Sequence, residues 1–384
     1  MKTIIYPLSG DPITYGHLEI IKKVSKIFDK VIILIANNEK KTASLPMSIR
    51  KEIIESVTKE HNITNSTVDF TDDIIDYLYD NDYKYLVRGI RNMTDFEYEA
   101  NLEKVYKSNI EDLEILYIKA DKNDFVSSST FKNLHHYFKI CDQYVPSIVL
   151  NKFDMKNHNQ KIFGITGNIG TGKSYFLDLI KDIQSEENIN FKPHRHNFYL
   201  YNLDDIAKEL LYGENKSLRL YNKLKDIIGD VNKENVTNLI LSQKENFDEF
   251  NFFKKELVLA IKNYLNKEFK KVYENQKSYP FEKNNSKDLF FIEGALIFEY
   301  NLQSFLRNNI IRINGEHFKE DNITERKQSN PESNNNNLQF MSLLKEFQID
   351  KDKMDSSHFI FDFKTTHGKQ QDKDIIRNFI NKNI

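Results

Sequence analysis

Tryptophan is absent, and cysteine occurs once, at Cys141, in a chain of 384 residues. A lone cysteine excludes an internal disulfide, and a reducing compartment is expected. Long apolar runs are missing too. The longest early one, Val31 to Ala36, is far too short to cross a bilayer. Met1-Lys2-Thr3-Ile4-Ile5-Tyr6 lacks the length and cleavage site of a signal peptide and reads as a first strand. Neither sign of charge is in excess: 55 basic residues face 57 acidic ones, so nothing calls for nucleic acid or an acidic membrane as partner. These absences point to a cytoplasmic protein. What is present, 39% hydrophobic and 29% charged residues, suffices at this length for two domains with separate cores. Without tryptophan, phenylalanine and tyrosine are expected to fill them.

The first ~150 residues alternate strand-like and helix-like segments. Thr3–Tyr6 and Val31–Ala36 are β-branched runs suited to buried parallel strands, and Leu18, Ile20, Ile21, Val24 and Ile27 recur between them at helical spacing. Further helices are expected at Ser48–Val57 and Asp72–Tyr79, and further strands at Tyr85–Val87 and Ile115–Ile118. The rhythm predicts α/β architecture with a doubly wound, Rossmann-like parallel sheet over 1–150. Residues 151–160 are polar and patternless, a linker. A second α/β domain is expected over 161–384, opening on the strand Lys161–Thr166, with a long helix across Leu239–Phe269 and strands at Phe290–Ile292 and His358–Phe363. Asn322–Asn337 has almost no apolar residues and reads as a loop.

Chemistry concentrates at strand-to-helix junctions. Ser9-Gly10-Asp11-Pro12-Ile13-Thr14-Tyr15-Gly16-His17 leaves the first strand, turns and opens a helix, placing His17 where free N–H groups and the dipole favour phosphate. A lone histidine there would more often be a helix cap. Arg88-Gly89-Ile90-Arg91 adds two guanidinium forks around a glycine at a strand end, and Glu99 offers an acceptor for a ribose or adenine group. Asn123-Asp124-Phe125-Val126-Ser127-Ser128-Ser129 brings hydroxyls and amides to another junction, although a serine run can simply cap a helix. Lys40 and Lys41 either clamp phosphate or are solvated charges. The paired histidines His135-His136, and His194 with His196, read as surface groups, since one cysteine and scattered histidines are too few for zinc.

The second junction is Gly167-Asn168-Ile169-Gly170-Thr171-Gly172-Lys173-Ser174, a full Walker A pattern between a strand and a helix. Its backbone would wrap phosphate, Lys173 would reach the β- and γ-phosphates, and Ser174 would ligate Mg²⁺. The pattern points to nucleotide binding without naming a substrate.

Residues 2–150 resemble the bacterial-type phosphopantetheine adenylyltransferases, of the nucleotidylyltransferase superfamily with a T/H-x-G-H motif. Arg88-Gly89-Ile90-Arg91 followed by Asp95-Phe96-Glu97-Tyr98-Glu99, and Val126-Ser127-Ser128-Ser129, carry the resemblance. It implies transfer of AMP from ATP to 4′-phosphopantetheine, a step of coenzyme A synthesis, with ATP as co-substrate, Mg²⁺ as cofactor and a homo-oligomer as the assembly. Ser9 and His17 would contact the reacting phosphates, and Ser9, Lys40, Ile74 and Arg88 would bind phosphopantetheine. Ser9, Gly10, His17, Gly89 to Arg91, Glu99 and Asn123 to Ser129 would line the ATP site. His17, Lys40, Arg88 and Arg91 would be catalytic. This chain has Leu8-Ser9-Gly10 where the family has Gly-Ser/Thr-Phe, and lacks a Gly-Gly before Cys141.

The second half is similar to dephospho-CoA kinase. Besides the Walker A segment, Asn202-Leu203-Asp204 parallels that family's Asp-Ala-Asp and Leu296-Ile297-Phe298-Glu299 its Pro-Leu-Leu-Phe-Glu. Phe347, Gln348, Lys353 and Asp355 resemble the end of its lid. The resemblance implies 3′-phosphorylation of dephospho-CoA, with Lys173 and Asp204 catalytic and Asp204 taking the proton of the attacking hydroxyl. Asn202 and Ala295 depart from the pattern, the His-Pro pair that helps hold dephospho-CoA has no counterpart, and Arg326 is the best lid arginine. The alternative is adenylyltransferase activity alone, with a degenerate ATP-binding or regulatory second half. Two further readings stay open: a nucleotidylyltransferase for another substrate, and an ATP-dependent sensor.

Overall fold

The structure, a computed structural model, describes residues 2–36, 42–91, 93–119, 126–168, 171–189, 196–243, 245–277, 287–314, 359–362 and 368–383. The chain divides into two compact units, Met1–Lys152 and Phe153–Ile384.

In the first unit, strands β1 (Thr3–Leu8), β2 (Lys30–Ala36), β3 (Ser66–Thr71), β4 (Tyr85–Ile90) and β5 (Glu114–Lys119) form one parallel sheet in the order β3-β2-β1-β4-β5. β1 and β2 are buried along almost their whole length, as expected of strands covered on both faces. β3 and β5 lie at the sheet edges and are less buried: polar β3 is largely exposed, and the apolar middle of β5 is half-buried. Helix α1 (Tyr15–Val24) turns Leu18, Ile20, Ile21 and Val24 inward; α2 (Met47–Glu60) follows β2 and α3 (Ile74–Asp80) follows β3. Helices α4 (Met93–Asn109), α5 (Ser128–His136) and α6 (Ser147–Phe153) complete the unit. The order reverses direction between β1 and β4, and in a doubly wound sheet that crevice, beyond the strands' carboxyl ends, is where ligands bind.

The second unit repeats the principle with another connectivity. Strands β6 (Gln160–Thr166), β7 (Asn197–Asn202), β8 (Asp288–Glu293), β9 (Ile310–Asn314) and β10 (Phe359–Asp362) pair in parallel in the order β10-β9-β6-β8-β7. β8, buried at every position, sits next to β6 in the middle of the sheet. Helix α7 (Lys173–Ile189) follows β6, α8 (Leu203–Tyr212) follows β7, and α9 (Leu218–Ile228), α10 (Lys233–Leu241) and the long α11 (Phe247–Lys277) lie between β7 and β8 in sequence. Phe163, Phe176, Phe198, Phe291 and Phe361 form much of its core, so phenylalanine fills the space that tryptophan would have taken. Among the described residues no helix is long and apolar enough to cross a membrane.

Three expectations change. Residues 151–160 are not a structureless linker: α6 ends at Phe153, a π-helical turn spans Asp154–His158, and β6 opens at Gln160. Their polarity misleads because it is satisfied inside: Arg307 Nε donates to Asp154 Oδ2 at 2.6 Å, and Gln160 Nε2 to Phe269 O at 2.8 Å. The single helix expected over Leu239–Phe269 is two, α10 and α11. At the break, Ser242 O accepts the N–H groups of Glu245 and Asn246, and Asn246 Nδ2 bonds Ser242 Oγ at 3.0 Å. Short polar side chains competing with the helical ladder favour such a break. Finally, His135 is buried, 5.7 Å from the Phe131 ring one helical turn earlier, rather than on the surface. His194, the loop 322–337, Arg326 and the lid-like segment 347–355 lie outside the described residues.

The Arg307–Asp154 pair is almost fully buried, with side-chain exposures of 8% and 5%. Removing one partner strands the other charge, at a cost of about 3–5 kcal/mol. Arg307→Ala is therefore expected to lower the melting temperature markedly. The double variant Arg307→Met with Asp154→Leu should recover much of the loss in the same thermal scan.

Candidate functional site

A cleft of about 400 Å³ opens at the β1/β4 switch point of the first unit. Its walls come from the ends of β1 and β4, the starts of α1 and α5, and Ala43 and Arg50 from the stretch after β2. Two helix N-termini at one cleft make it suited to an anion.

Gly10 enters the turn with φ +58°, a left-handed conformation that glycine adopts without strain, and Asp11–Pro12 is a cis peptide. The displaced glycine of Leu8-Ser9-Gly10 thus has a backbone duty of its own. Asp11 is buried and accepts from Ser44 N at 2.8 Å, Leu45 N at 2.9 Å and Lys132 Nζ at 2.9 Å. Burial alone would raise its carboxyl, but the Ser44 amide, Lys132 and the Leu45 amide outweigh it and hold the group below its ordinary range. One carboxylate therefore ties the turn to the residues after β2 and to α5. Ser128 Oγ adds a bond to Pro12 O at 2.8 Å, and Arg50 Nη1 one to Ser9 O at 2.7 Å.

His17 sits in the first turn of α1 and lines the cleft. Its Nδ1 lies 3.0 Å from Thr14 N and 2.9 Å from Thr14 Oγ1. The backbone N–H can only donate, so Nδ1 accepts and the ring proton belongs on Nε2. Burial, reinforced by the Arg91 guanidinium, pushes the imidazole pKa down to about 4. A neutral ring with a donor at Nε2 results.

Arg88 and Arg91 line the same cleft. Glu99 grips Arg88 in a two-point fork, accepting from Nε at 2.6 Å and Nη2 at 2.7 Å. Each Glu99 oxygen thus accepts one guanidinium N–H, which orients the Arg88 fork in the cleft wall. Asp95 holds Arg91 Nε at 2.8 Å. Gly89 leaves room for α1: a Cβ there would meet Ile20 Cδ1 at 2.4 Å, so a larger residue would have to move that side chain. Val126, Ser127, Ser128 and Ser129 line the cleft at the start of α5, where Ser127 Oγ also caps the helix through Thr130 N at 3.1 Å.

The cleft therefore gathers Ser9, His17, Arg88, Gly89, Ile90, Arg91, Glu99 and Val126 to Ser129. Ile74 is elsewhere, at the start of α3 against the core cluster of Leu78 and Leu86. Lys40, Asn123, Asp124 and Phe125 lie outside the described residues. Sequence reasoning missed Tyr6, Arg50 and Lys132 as wall residues. A signal existed for Lys132, four residues after Ser128 and so on the same helix face.

In the second unit, Gly167 and Gly172 have φ +149° and +94°, and a Cβ on Gly167 would meet Ile313 O at 2.5 Å. Lys173 Nζ donates to Gly167 O at 2.9 Å and Asn168 O at 3.0 Å, and Thr171 Oγ1 to Asn168 O at 2.8 Å. Ser174 is in the first turn of α7 and Asp204 is exposed in the first turn of α8, while Ile169 and Gly170 lie outside the described residues. Glu293, which the sequence reading passed over, ends β8 and is buried. Burial lifts its carboxyl above the ordinary range against the pull of Lys173 and the Asn202 bond, while Asp204 and Asp205 add to the rise.

Fold and cleft define a nucleotidylyltransferase-type domain, and the comparisons agree: residues 9–134 match the cytidylyltransferase-like family model. Phosphopantetheine adenylyltransferases of Natranaerobius thermophilus and Geotalea daltonii are 31% and 35% identical over 163 and 158 residues. These alignments span 42% and 41% of this chain and 99% and 97% of the relatives. The chain belongs, through its N-terminal unit, to the phosphopantetheine adenylyltransferase family. Two solved structures align more loosely. A putative nicotinate-nucleotide adenylyltransferase from Vibrio parahaemolyticus has 17% identity and a TM-score of 0.29, covering 39% of this chain and 91% of its own. A NadR protein in complex with NR has 13% and 0.31, covering 99% of this chain and 96% of its own. Neither bears on the second unit.

A histidine whose pKa is lowered in the folded state contributes stability that is complete above about 6.5 and is lost as pH falls toward 4. Denaturant melts are expected to show wild type losing stability across that window, with a shallower slope for His17→Asn, which keeps an acceptor for Thr14 N–H but takes up no proton.

Proposed function

We propose that the first unit transfers the adenylyl group of ATP to 4′-phosphopantetheine, giving dephospho-CoA and pyrophosphate. The observation that carries this reading is the convergence of a neutral, Nε2-protonated His17, Arg88, Arg91 and the α5 amides on one cleft in a unit of this family. The attacking phosphate oxygen is already anionic, so no general base is needed. It forms a bond to the α-phosphorus as the bond to the β-phosphate bridging oxygen breaks, and pyrophosphate leaves with the electron pair. His17 Nε2–H and the guanidinium groups stabilise charge on the in-line transition state, and Ser127 to Ser129 position the triphosphate. Lys40 is proposed to hold the acceptor phosphate with Arg88, and Ile74 its pantetheine arm.

The second unit is proposed to be a P-loop kinase that phosphorylates the 3′-hydroxyl of dephospho-CoA. Parallel strands in the order β10-β9-β6-β8-β7, glycines with positive φ at 167 and 172, and Lys173 folded onto the loop carbonyls support it. Asp204 would accept the hydroxyl proton as that oxygen attacks the γ-phosphorus and ADP departs. Ser174 in the first turn of α7 and the buried Glu293 at the end of β8 offer the oxygen donors that Mg²⁺ takes and would hold it, and the ion would supply charge neutralisation on the phosphates. Asn202 in place of an aspartate favours the second reading, a nucleotide-binding module without kinase activity.

Mass spectrometry of products from phosphopantetheine, ATP and Mg²⁺ tests both halves together. Dephospho-CoA and CoA are expected from wild type. His17→Ala should lower kcat for the first product by about 10²–10³-fold with little change in KM. Lys173→Ala should leave dephospho-CoA forming and stop CoA. Neither dephospho-CoA nor CoA from wild type overturns the first assignment; dephospho-CoA without CoA selects the non-kinase module.

A further inference from the structure

We infer that Asn202 is a positioning residue of the second site, clamping the buried Glu293 carboxylate to the first turn of α8; this rests on the kinase reading of that unit. Asn202 ends β7 and stands directly opposite Glu293, the last residue of β8, in the parallel register. Both ends of its amide are used. Nδ2 donates to Glu293 Oε2 at 2.7 Å, while Oδ1 accepts Asp204 N at 2.9 Å and Asp205 N at 3.1 Å. A second contact closes the same junction: a Cβ on Gly294 would meet Leu203 Cδ1 at 2.5 Å, so glycine lets the start of α8 lie against the end of β8.

The departure from the family's aspartate thereby acquires a chemical reason. An aspartate could cap α8 equally well. It could not donate to Glu293, and two carboxylates at that separation would either repel or share a proton. An amide satisfies the buried carboxylate and the helix amides at once and adds no charge beside Lys173. Asp204 follows from the same geometry, because its own N–H is one of the groups that Asn202 holds. Both ends of its amide are bonded to the protein, so it acts through Glu293 and Asp204.

The test is ADP release that depends on dephospho-CoA, measured with the full chain. Only the second reaction yields ADP, since the first releases pyrophosphate. Asn202→Asp keeps the cap on α8 but has no N–H for Glu293, and its kcat is expected to fall about tenfold with little change in the KM for dephospho-CoA. Asn202→Ser also keeps a cap and cannot reach Glu293, so it should melt near wild type and lose kcat in the same way; it decides the matter if the aspartate variant fails to fold. Wild-type kcat in both variants overturns this proposal alone. No ADP from wild type overturns the kinase reading and this role with it.

Discussion

One hydrogen bond at the first site has a direction that admits no choice. The Thr14 backbone N–H donates, His17 Nδ1 accepts, and the remaining ring proton is therefore carried by Nε2. Burial and Arg91 keep the ring from taking a second proton near neutrality. The rest of the first unit places that donor. Asp11 fastens the turn before α1 to two backbone amides and to Lys132, Ser128 fastens α5 to the same turn, and Glu99 sets the Arg88 fork. Most of these partners come from segments far apart in sequence, so the fold itself brings them together.

Each unit builds its candidate site by the same physical device, a helix starting just beyond the carboxyl end of a central parallel strand. Such a start offers unpaired N–H groups and the positive end of a dipole. In the first unit the device is supplemented by an imidazole and arginines. In the second it is supplemented by a glycine-shaped loop, Lys173, and strand ends joined by the Asn202 amide donating to the Glu293 carboxylate. The balance of charge follows: no strong excess of either sign is needed when the backbone supplies much of the positive potential.

Much of this was legible in the sequence, and the parts that were not share a cause. Apolar runs such as those of β1 and β2 announce buried parallel strands because period and composition are local properties. Ser127 to Ser129 and the Walker A segment announce junctions for the same reason. The stretch 151–160 looks like linker in sequence because its polar side chains find partners, Arg307 for Asp154 and Phe269 O for Gln160, that no local pattern contains. Lys132 and Arg50 look like ordinary surface cations until Asp11 and Ser9 are brought beside them. Glu293 closes a strand whose middle is apolar, and its value as a site residue depends on Asn202 lying across the register.

The protonation state of His17 is the point on which the first site turns. Nitrogen-15 NMR of the histidine side chains, with His17 assigned by comparison to His17→Asn, reads it directly. A neutral ring protonated at Nε2 at pH 7, taking up its second proton only near pH 4, is the expected result. An imidazolium at pH 7, or a neutral ring with its proton on Nδ1, would contradict the account.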